Sequence, residues 1–467
     1  MKKTASILFI LFLTAIMQAQ TRTQPKPGVS PTVNIKKPQT FILPNGLKVM
    51  IVENHKLPRV TFNLAIDTAP YAEGNKKGVN ELCSNLIGNG TKNISKDVLN
   101  SEIDFLGANV NFSAQGAFAS SLSKYAGRIL ELLSEGSLHP VFTQIEFDKE
   151  KEKLLEGLKF QEKSVPFIAE RVVNALAFGT NHPSGEYVTE ATLNNISLED
   201  VIENYQTYFV PEKAYLVIVG DVKYKTIKPI VEKLFSNWKK GNVKEIAYVD
   251  PENVPFTQIN FVNVSNAVQT DISLVNTLNL KMNDADFFAA VLATNILGGD
   301  FNSYLNMNLR EQNGWTYGAS STIGSGKYVT KIRSTSAVNS SATDSAVVEF
   351  IKEIKKIRTV KVSNEFLNDV KAGFIGRFVM KAEKPEATAR HALNIETEDL
   401  PTDFYENYIK TINAVTPEDI LRVANKYFLI DNTRIVIVGK ESEILPGLEK
   451  LNIPLFHFDN YGNPIKK

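Results

Sequence analysis

Two kinds of hydrophobic periodicity alternate along the chain. Every second residue between Val60 and Ile66 faces one side, which predicts a strand with one buried face. Apolar residues spaced three and four apart between Val347 and Ile357 predict a helix instead. Phe41–Val52 predicts a β-hairpin that turns at Asn45-Gly46, since this dipeptide favours tight hairpin turns. Because hairpins and helices are mixed, the predicted fold class is α+β, with antiparallel-rich sheets covered by helices.

The chain contains an internal duplication. Thr192–Gly220 matches Thr411–Gly439 without gaps at an offset of 219, and Leu82–Gly88 matches Leu292–Gly298 at an offset of 210. Each longer copy predicts a helix capped by Ser or Thr, followed by a β-branched strand that ends at glycine. We therefore predict two tandem domains, 39–240 and 256–460, joined by a polar, proline-containing linker at 241–255.

The first nineteen residues have the pattern of a secretory signal peptide. Lys2 and Lys3 precede the apolar run Ile7–Ile16, and the small residue Ala19 marks the predicted cleavage site. An uncleaved anchor is the alternative, but the run is shorter than the ~20 residues that span a bilayer. Residues 20–38 are predicted to be a flexible leader. We expect an exported protein, periplasmic or extracellular, with no integral membrane association.

The charge and the cysteine content exclude several kinds of function and site. There are 52 basic and 51 acidic residues, so the formal net charge is +1. A nucleic-acid-binding surface needs a basic excess to neutralise phosphates, so no nucleic-acid partner is expected. The single Cys83 cannot form an intrachain disulfide or a cysteine-based zinc cluster.

The histidines are too far apart to form a helical metal-binding pair. They are His55, His139, His182, His391 and His457. No two lie within 40 residues of each other, so no single helix presents two imidazoles to one metal ion.

Two long segments carry a family resemblance. They are NGLKVMIVENHKLPRVTFNLAIDTAPYAEGNKKGVNEL in the first predicted domain and LGGDFNSYLNMNLREQNGWTYGASS in the second. Together with the tandem α+β domains, they resemble the pitrilysin/insulinase (M16) zinc peptidases, a family that includes the mitochondrial processing peptidase. The resemblance covers nearly the whole chain after the leader.

The resemblance implies that the metal motif of this chain is degenerate. The family motif is His-x-x-Glu-His, and its three functional positions fall on Glu81, Ser84 and Asn85. The third ligand, a Glu on a later helix, falls near Leu158, with Glu156 and Glu162 close by. We therefore expect no metal or other cofactor in this chain and zinc in a partner. We also expect a buried Cys83, a cleft-lining or solvated Glu81, and a first-domain helix that resembles its second-domain copy.

Arg310 and Tyr317 are the candidate functional residues of the second domain. In two-chain members of the family, the subunit without zinc carries an Arg and a Tyr at this spacing, and they reach towards the partner's zinc. A Tyr hydroxyl can stabilise a developing oxyanion, and an Arg can hold a peptide carbonyl. Leu309–Gln312 predicts a helix end, followed by a turn and a strand from Trp315. The alternative is a surface Arg and a core Tyr.

The resemblance leaves three possible functions for this chain. The leading one is a secreted, non-catalytic, peptide-binding subunit of a heteromeric zinc metallopeptidase, whose partners are a zinc-bearing M16 subunit and a peptide substrate. The second is a metalloendopeptidase that acts alone through an altered metal site. The third is a non-enzymatic assembly or binding protein of the same fold. In the leading version, the chain cleaves no peptide by itself.

Overall fold

Two six-stranded mixed sheets, one from each half of the chain, form the framework of the molecule. The computed structural model describes residues 37–243, 249–382 and 384–466. The first sheet contains β1 (Gln39–Ile42), β2 (Lys48–Glu53), β3 (Arg59–Ile66), β4 (Asn109–Ser113), β5 (Gly116–Leu122) and β6 (Ala214–Gly220). The second contains β7 (Gln258–Asn263), β8 (Gln269–Leu278), β9 (Thr316–Ile323), β10 (Thr330–Asn339), β11 (Arg434–Gly439) and β12 (Leu455–Phe458).

Helices cover both sheets. Those of the first half are α1 (Val79–Leu86), α2 (Lys96–Phe105), α3 (Ala126–Leu138), α4 (Gln144–Gln161), α5 (Val165–Phe178), α6 (Glu190–Asn194), α7 (Leu198–Tyr208) and α8 (Tyr224–Phe235). Those of the second half are α9 (Phe287–Gly298), α10 (Thr343–Thr359), α11 (Asn364–Ala382), α12 (Pro385–Thr397), α13 (Phe404–Ala414), α14 (Pro417–Tyr427) and α15 (Glu441–Leu448). A π-helical segment, Asn306–Gln312, precedes β9.

The strand orders confirm the predicted duplication and the α+β class. The first sheet runs β1-β2-β6-β3-β5-β4 and the second β12-β7-β11-β8-β10-β9, so the two orders correspond position by position. One edge differs: β1 pairs antiparallel with β2 through a hairpin, whereas β12 pairs parallel with β7. A short turn joins β1 to β2, and two strands joined in this way run antiparallel. β12 comes from a distant part of the chain, so it can run parallel to β7.

The predicted caps are confirmed in both copies. The Ser197 hydroxyl accepts the N–H of Asp200, whose carboxylate accepts the N–H of Ser197 at 2.9 Å. Thr416 and Asp419 repeat this arrangement at the start of α14, with a return bond of 3.0 Å. These side chains satisfy backbone donors that the first helical turn leaves without partners. Local sequence alone therefore starts the same helix twice.

Each sheet is also covered by a helix from the other half of the chain. On the second sheet, α5 packs buried side chains such as Val172 and Phe178 against strand residues that include Val275 and Val436. On the first sheet, α12 packs Ala389 and Ala392 against the strand residues Met50, Val52, Val217 and Val219. The two domains thus share their cores through exchanged helices.

Parts of the sequence-based predictions lie outside the described residues. These are the signal peptide 1–19, the leader except for Lys37 and Pro38, and residues 244–248 of the linker. Within the described ranges, no helix combines the length and apolar character needed to cross a membrane. The predicted domain boundaries remain predictions.

Candidate functional site

Helix α1 carries the three positions where the family motif would stand. It begins after Gly78, whose φ of 110° suits glycine. The Glu73 carboxylate caps this end by accepting the N–H groups of Gly78 and Asn80 at 3.0 and 3.1 Å. A negative charge at a helix N-terminus is favourable, because it meets the free N–H groups and the positive end of the helix dipole.

A buried ion-pair network holds the entry to α1, and sequence reasoning missed it. Lys77 lies 2.7 Å from Glu73 and 3.0 Å from Glu186, and the side chains of these two glutamates are 7% and 4% exposed. Although burial lowers the pKa of Lys77, the two carboxylates raise it overall. Glu186 also accepts the N–H groups of Glu73 and Gly74, both at 3.0 Å. Only the fold brings Glu186 to this loop, so no local pattern reveals the network.

Ser84, at the position of the family's general base, has a structural role. Its hydroxyl donates to the carbonyl of Asn80 at 2.8 Å and accepts the N–H of Ala114 at 3.0 Å. It therefore ties α1 to the turn between β4 and β5. A hydroxyl held in this way cannot activate a metal-bound water as the family's carboxylate does.

The other two motif positions do not fit a zinc ion. Glu81 and Asn85 are exposed on the face of α1 that Ser84 shares. Partial burial and the nearby Glu73 raise the pKa of Glu81. A carboxylate, a hydroxyl and an amide do not supply the imidazole donors that zinc takes in this motif. Across the described residues, no group of three His, Cys, Asp or Glu side chains could hold a metal ion.

The third-ligand position offers no zinc ligand either. Leu158 lies on α4 and packs against the cluster that contains Leu82 and Cys83 of α1. Glu156 is exposed, and Glu162 accepts the Tyr461 hydroxyl at 2.7 Å. The helix of the third ligand thus still packs on the metal helix, but it offers a hydrocarbon side chain at this point.

Cys83 is a buried apolar residue on the opposite side of α1, as predicted. It has no exposed surface, and burial raises the pKa of its thiol to about 12. A thiol with this pKa is protonated at neutral pH, so it is neither a nucleophile nor a metal ligand.

The polar face of α1 lines a cavity of about 290 Å³. The lining residues are Glu73, Lys77, Gly78, Asn80, Glu81, Ser84, Gln115 and Val188. Glu81 therefore lines a cleft, which was one of the two expected positions. α1 differs from its second-domain copy in exposure, because α9 is buried on nearly every side. The cavity offers hydrogen-bond donors and acceptors but no imidazole.

The histidines serve other purposes. His55 lies 2.6 Å from the Asp221 carboxylate, which raises its pKa. His182 is buried and stacks on Phe178 at 5.2 Å. His391 is buried among aromatic rings, and burial lowers its pKa to about 4.

Arg310 and Tyr317 lie on two consecutive elements of the second domain. Arg310 belongs to the π-helical segment, with its Nε 3.3 Å from the Glu311 carboxylate and its guanidinium 4.8 Å from the Phe301 ring centroid. Tyr317 lies on the edge strand β9 and is 91% exposed. The alternative of a core tyrosine is therefore wrong. The predicted helix end at Leu309–Gln312 is confirmed, and it closes the π-helical segment Asn306–Gln312.

A bulge in β9 holds Tyr317 away from the core. The pairing of β9 with β10 skips Ala337, which lies opposite Tyr317 and Gly318. The Thr316 hydroxyl donates to the Ala337 carbonyl at 2.7 Å and accepts the N–H of Gly318 at 3.1 Å. Ser336 donates to the Gly318 carbonyl at 2.9 Å. Bulges of this kind re-aim a side chain, and here the hydroxyls fix the new direction.

Asn306 joins the two elements. Its amide donates to the Ala319 carbonyl at 2.7 Å and accepts the Ala319 N–H at 3.0 Å, as a neighbouring strand would. Between them, Gly314 turns the chain with a φ of 66°. The segment of Arg310 is thereby held in a fixed position relative to the strand of Tyr317. The sequence contains no pattern that marks Asn306 in advance.

Comparisons with known proteins agree with this architecture. Residues 48–188 match the model of the insulinase family (peptidase family M16), and residues 195–374 match that of the peptidase M16 inactive domain. The uncharacterized zinc protease YmxG of Bacillus subtilis is 22% identical over 281 residues, 58% of this chain and 67% of that protein.

Two further matches are informative. Subunit 1 of the mitochondrial cytochrome b-c1 complex of Bos taurus is 23% identical over 209 residues, 44% of this chain, and the match spans less than half, 43%, of that subunit. The crystal structure of a peptidase M16 inactive domain from Pseudomonas fluorescens superposes with a TM-score of 0.78 at 21% identity, covering 86% of this chain and 98% of that one. At this identity the superposition establishes the fold alone.

Tandem mixed sheets with exchanged helices and a helix that holds degenerate metal positions define a metallopeptidase-like two-domain protein. With both halves matched by models of the same family, the chain belongs to the insulinase (M16) family. The inactive-domain match begins at residue 195, so it includes α7 and β6 of the first sheet as well as much of the second domain.

Proposed function

We propose that this chain is the non-catalytic, peptide-binding subunit of an exported, heteromeric zinc peptidase. The observation that carries the proposal is the contrast between its two sites. The metal positions have been replaced by Glu81, Ser84 and Asn85, whereas Tyr317 is held 91% exposed by a hydrogen-bonded bulge. A tyrosine hydroxyl presented to solvent can donate a hydrogen bond to a substrate that is bound to a partner chain.

Two sheet edges support peptide binding, since each ends without a further strand in the described part of the chain, although Asn306 already bonds to Ala319 on one of them. β4 ends the first sheet beside α1, and β9 ends the second sheet and carries Tyr317. An edge strand has unpaired N–H and C=O groups that an extended peptide can complete by adding a strand. The chain thus offers main-chain partners for a peptide next to both candidate sites.

The chemical role in the complex is substrate positioning. The zinc and its activated water would come from the partner, because the residues of this chain do not fit the metal. Tyr317 would donate a hydrogen bond to the developing oxyanion, and Arg310 would hold a neighbouring peptide carbonyl. The purified chain alone is accordingly expected to bind little zinc. Stoichiometric zinc, with cleavage that a chelator abolishes, would instead identify an enzyme that acts alone.

The test is kinetic and uses a complex. The chain is co-purified with a family member from the same genome that has an intact His-x-x-Glu-His motif, and a fluorogenic peptide reports turnover. Arg310→Ala and Tyr317→Phe should each reduce turnover by ~10²–10³, the usual effect of losing one oxyanion donor. Arg310→Lys should also fail, since an ammonium group does not reproduce the planar fork. Ser320→Ala, another exposed side chain on β9, is the matched control.

A second function is favoured by one comparison. The bovine relative is by name a subunit of the cytochrome b-c1 complex, which suits a non-enzymatic assembly role for the fold. In that case the complex forms, but both Arg310→Ala and Tyr317→Phe leave turnover unchanged. Such a result would reject the positioning role while keeping the partnership.

A further inference from the structure

The two exchanged helices cover their sheets unequally. α5 fills its side of the second sheet with Ile168, Val172, Val173 and Phe178, all buried. α12 presents Ala389 and Ala392 to the first sheet, and these side chains reach less far. Small side chains on a covering helix leave space over the sheet unless the strands compensate with large ones. Here they do not.

A cavity of about 570 Å³ lies over the first sheet beside the first turn of α12. Its residues are Asn54, Lys56, Leu57, Arg59, Val60, Thr61, Ser120, Val219, Gly220 and Glu386. The volume lies within the roughly 300–1,000 Å³ typical of small-molecule sites, which are often found where two domains meet.

This cavity is distinct from the cavity on α1. It lies where β3 begins, at Arg59, whereas the α1 cavity includes Gln115, whose carbonyl accepts the N–H of Ile66 at the end of β3. Eight strand residues at 3.2–3.4 Å each separate the two ends by about 25 Å. A ligand in one cavity therefore does not touch the other.

The two cationic side chains at the cavity lack ion-pair partners among the described residues. Lys56 and Arg59 are exposed, and neither forms an ion pair with any carboxylate in the described part of the chain. Glu386 contributes a carboxylate from α12 to the same cavity. Leu57, which is 59% exposed, adds apolar surface to the cavity.

On the second sheet, cations at the far end of the equivalent face are paired with the covering helix. There, Arg333 of β10 forms an ion pair with Glu170 of α5 and donates to the Ser273 hydroxyl at 3.0 Å. Lys331 lies 3.0 Å from the same carboxylate. On the first sheet, Glu396 of α12 pairs with Lys48 of β2, but Lys56 and Arg59 at the cavity form no ion pair in the described part of the chain.

We propose that this cavity binds a small zwitterion with an apolar side chain, of the size of a dipeptide. Its carboxylate would contact Arg59 and Lys56, and its ammonium group would contact Glu386. Its side chain would lie on Leu57. Two extended residues span about 7 Å, which suits a cavity of this volume. The proposal is independent of any role in peptide cleavage, because it uses neither the α1 face nor Tyr317.

The experiment is calorimetric titration of the full chain with four probes: Leu-Leu, N-acetyl-Leu-Leu, Leu-Leu amide and free leucine. Leu-Leu should bind saturably at one site. Blocking either end should weaken binding by about 10- to 100-fold, the range for one charge-assisted hydrogen bond. Free leucine distinguishes an amino-acid site from a dipeptide site, and it should bind more weakly than Leu-Leu.

Variants of the lining residues show which side chains bind the carboxylate and which bind the ammonium group of the ligand. Arg59→Gln with Lys56→Gln should remove the preference for Leu-Leu over its amide, and Glu386→Gln should remove the preference over the acetylated form. Lys92→Gln, an exposed lysine outside the cavity, is the control and should change neither. These side chains are exposed, so folding should survive, and melting temperatures check this. A Kd for Leu-Leu weaker than about 1 mM, or unchanged preferences in the variants, would overturn the proposal.

Discussion

Helices α1 and α9 occupy equivalent places in the two domains, yet their surroundings differ. Both carry a hydroxyl that bonds back to a carbonyl four residues earlier: Ser84 to Asn80 and Thr294 to Ala290, each at 2.8 Å. α9 is buried on nearly every side, and Thr294 is 4% exposed. α1 keeps Glu81 and Asn85 on an open face beside a cavity.

The difference shows that losing a metal motif did not turn α1 into a core helix. α9 is covered by α11 and α13 as well as by its own sheet, so apolar residues are stabilised all around it. The face of α1 that would hold a metal ion remains open and polar. A cleft that has lost its catalytic groups is consistent with a binding role, which the experiments below separate from a structural remnant.

The largest expected effect comes from placing the same carboxylate on both helices. Thr294→Glu buries a charge without a cationic partner, and we expect a loss of about 4 kcal/mol or more in the free energy of unfolding. Ser84→Glu faces the cavity and loses mainly its bond with the Ala114 N–H, a cost of about 1 kcal/mol. Urea denaturation of both variants measures the difference. Equal losses would mean that the α1 face is closed in solution.

An intermediate effect is expected when the metal motif is restored. The triple variant Glu81→His, Ser84→Glu, Asn85→His should bind zinc weakly and give little activity, because Leu158 supplies no third ligand. Adding Leu158→Glu should strengthen zinc binding by roughly 10–100-fold, the scale on which one supporting group changes metal affinity. Competition with a chromogenic chelator measures the affinity.

The control for that experiment uses the equivalent residues of α9. Val291→His, Thr294→Glu and Asn295→His place the same motif on a buried helix, and this variant should gain no zinc site. Tight zinc binding by the α1 triple variant without Leu158→Glu would show that Glu156 or Glu162 already serves as the third ligand.

The smallest expected effect concerns Glu81 and pH. Its pKa is raised in the folded state above 4.5, so as the pH rises through 4.5 the unfolded chain releases its proton first. Ionised Glu81 therefore reduces stability above the folded-state pKa and has no effect well below 4.5. Glu81→Gln should stabilise the protein at pH 7 by less than about 1 kcal/mol and leave it unchanged at pH 3.

The matched control is Glu152→Gln, which removes an exposed carboxylate outside the α1 cavity. Melting temperatures at the two pH values test the prediction. A larger gain at pH 3 than at pH 7 would contradict the stated sign.

Local features of the fold could be predicted from the sequence. The hairpin at Asn45-Gly46 forms with Ile42 opposite Lys48, and both predicted capping residues, Ser197 and Thr416, bond as expected. These features depend on residues a few positions apart. The repeated offset also revealed two domains of one design, because ungapped similarity survives where the same local structure is formed twice.

The candidate site was predictable only in part. The replacement of the motif at Glu81, Ser84 and Asn85 is visible in the sequence, as is the pair Arg310 and Tyr317. The sequence did not show that Ser84 bonds to the β4–β5 turn or that a bulge turns Tyr317 outwards. Both depend on partners, Ala114 and Ala337, that the chain brings near only through sheet pairing.

The sequence by itself determined the local elements, the duplication and the loss of the metal donors, because each follows from residue identity and short spacing. Tertiary structure alone decided that α5 and α12 exchange sheets, that Lys77 joins Glu73 to Glu186, and that one covering helix leaves a charged cavity. The physical reason is separation along the chain. Burial, ion pairing and cavity volume depend on which distant surfaces meet, and periodicity records only that a surface is apolar, not what covers it.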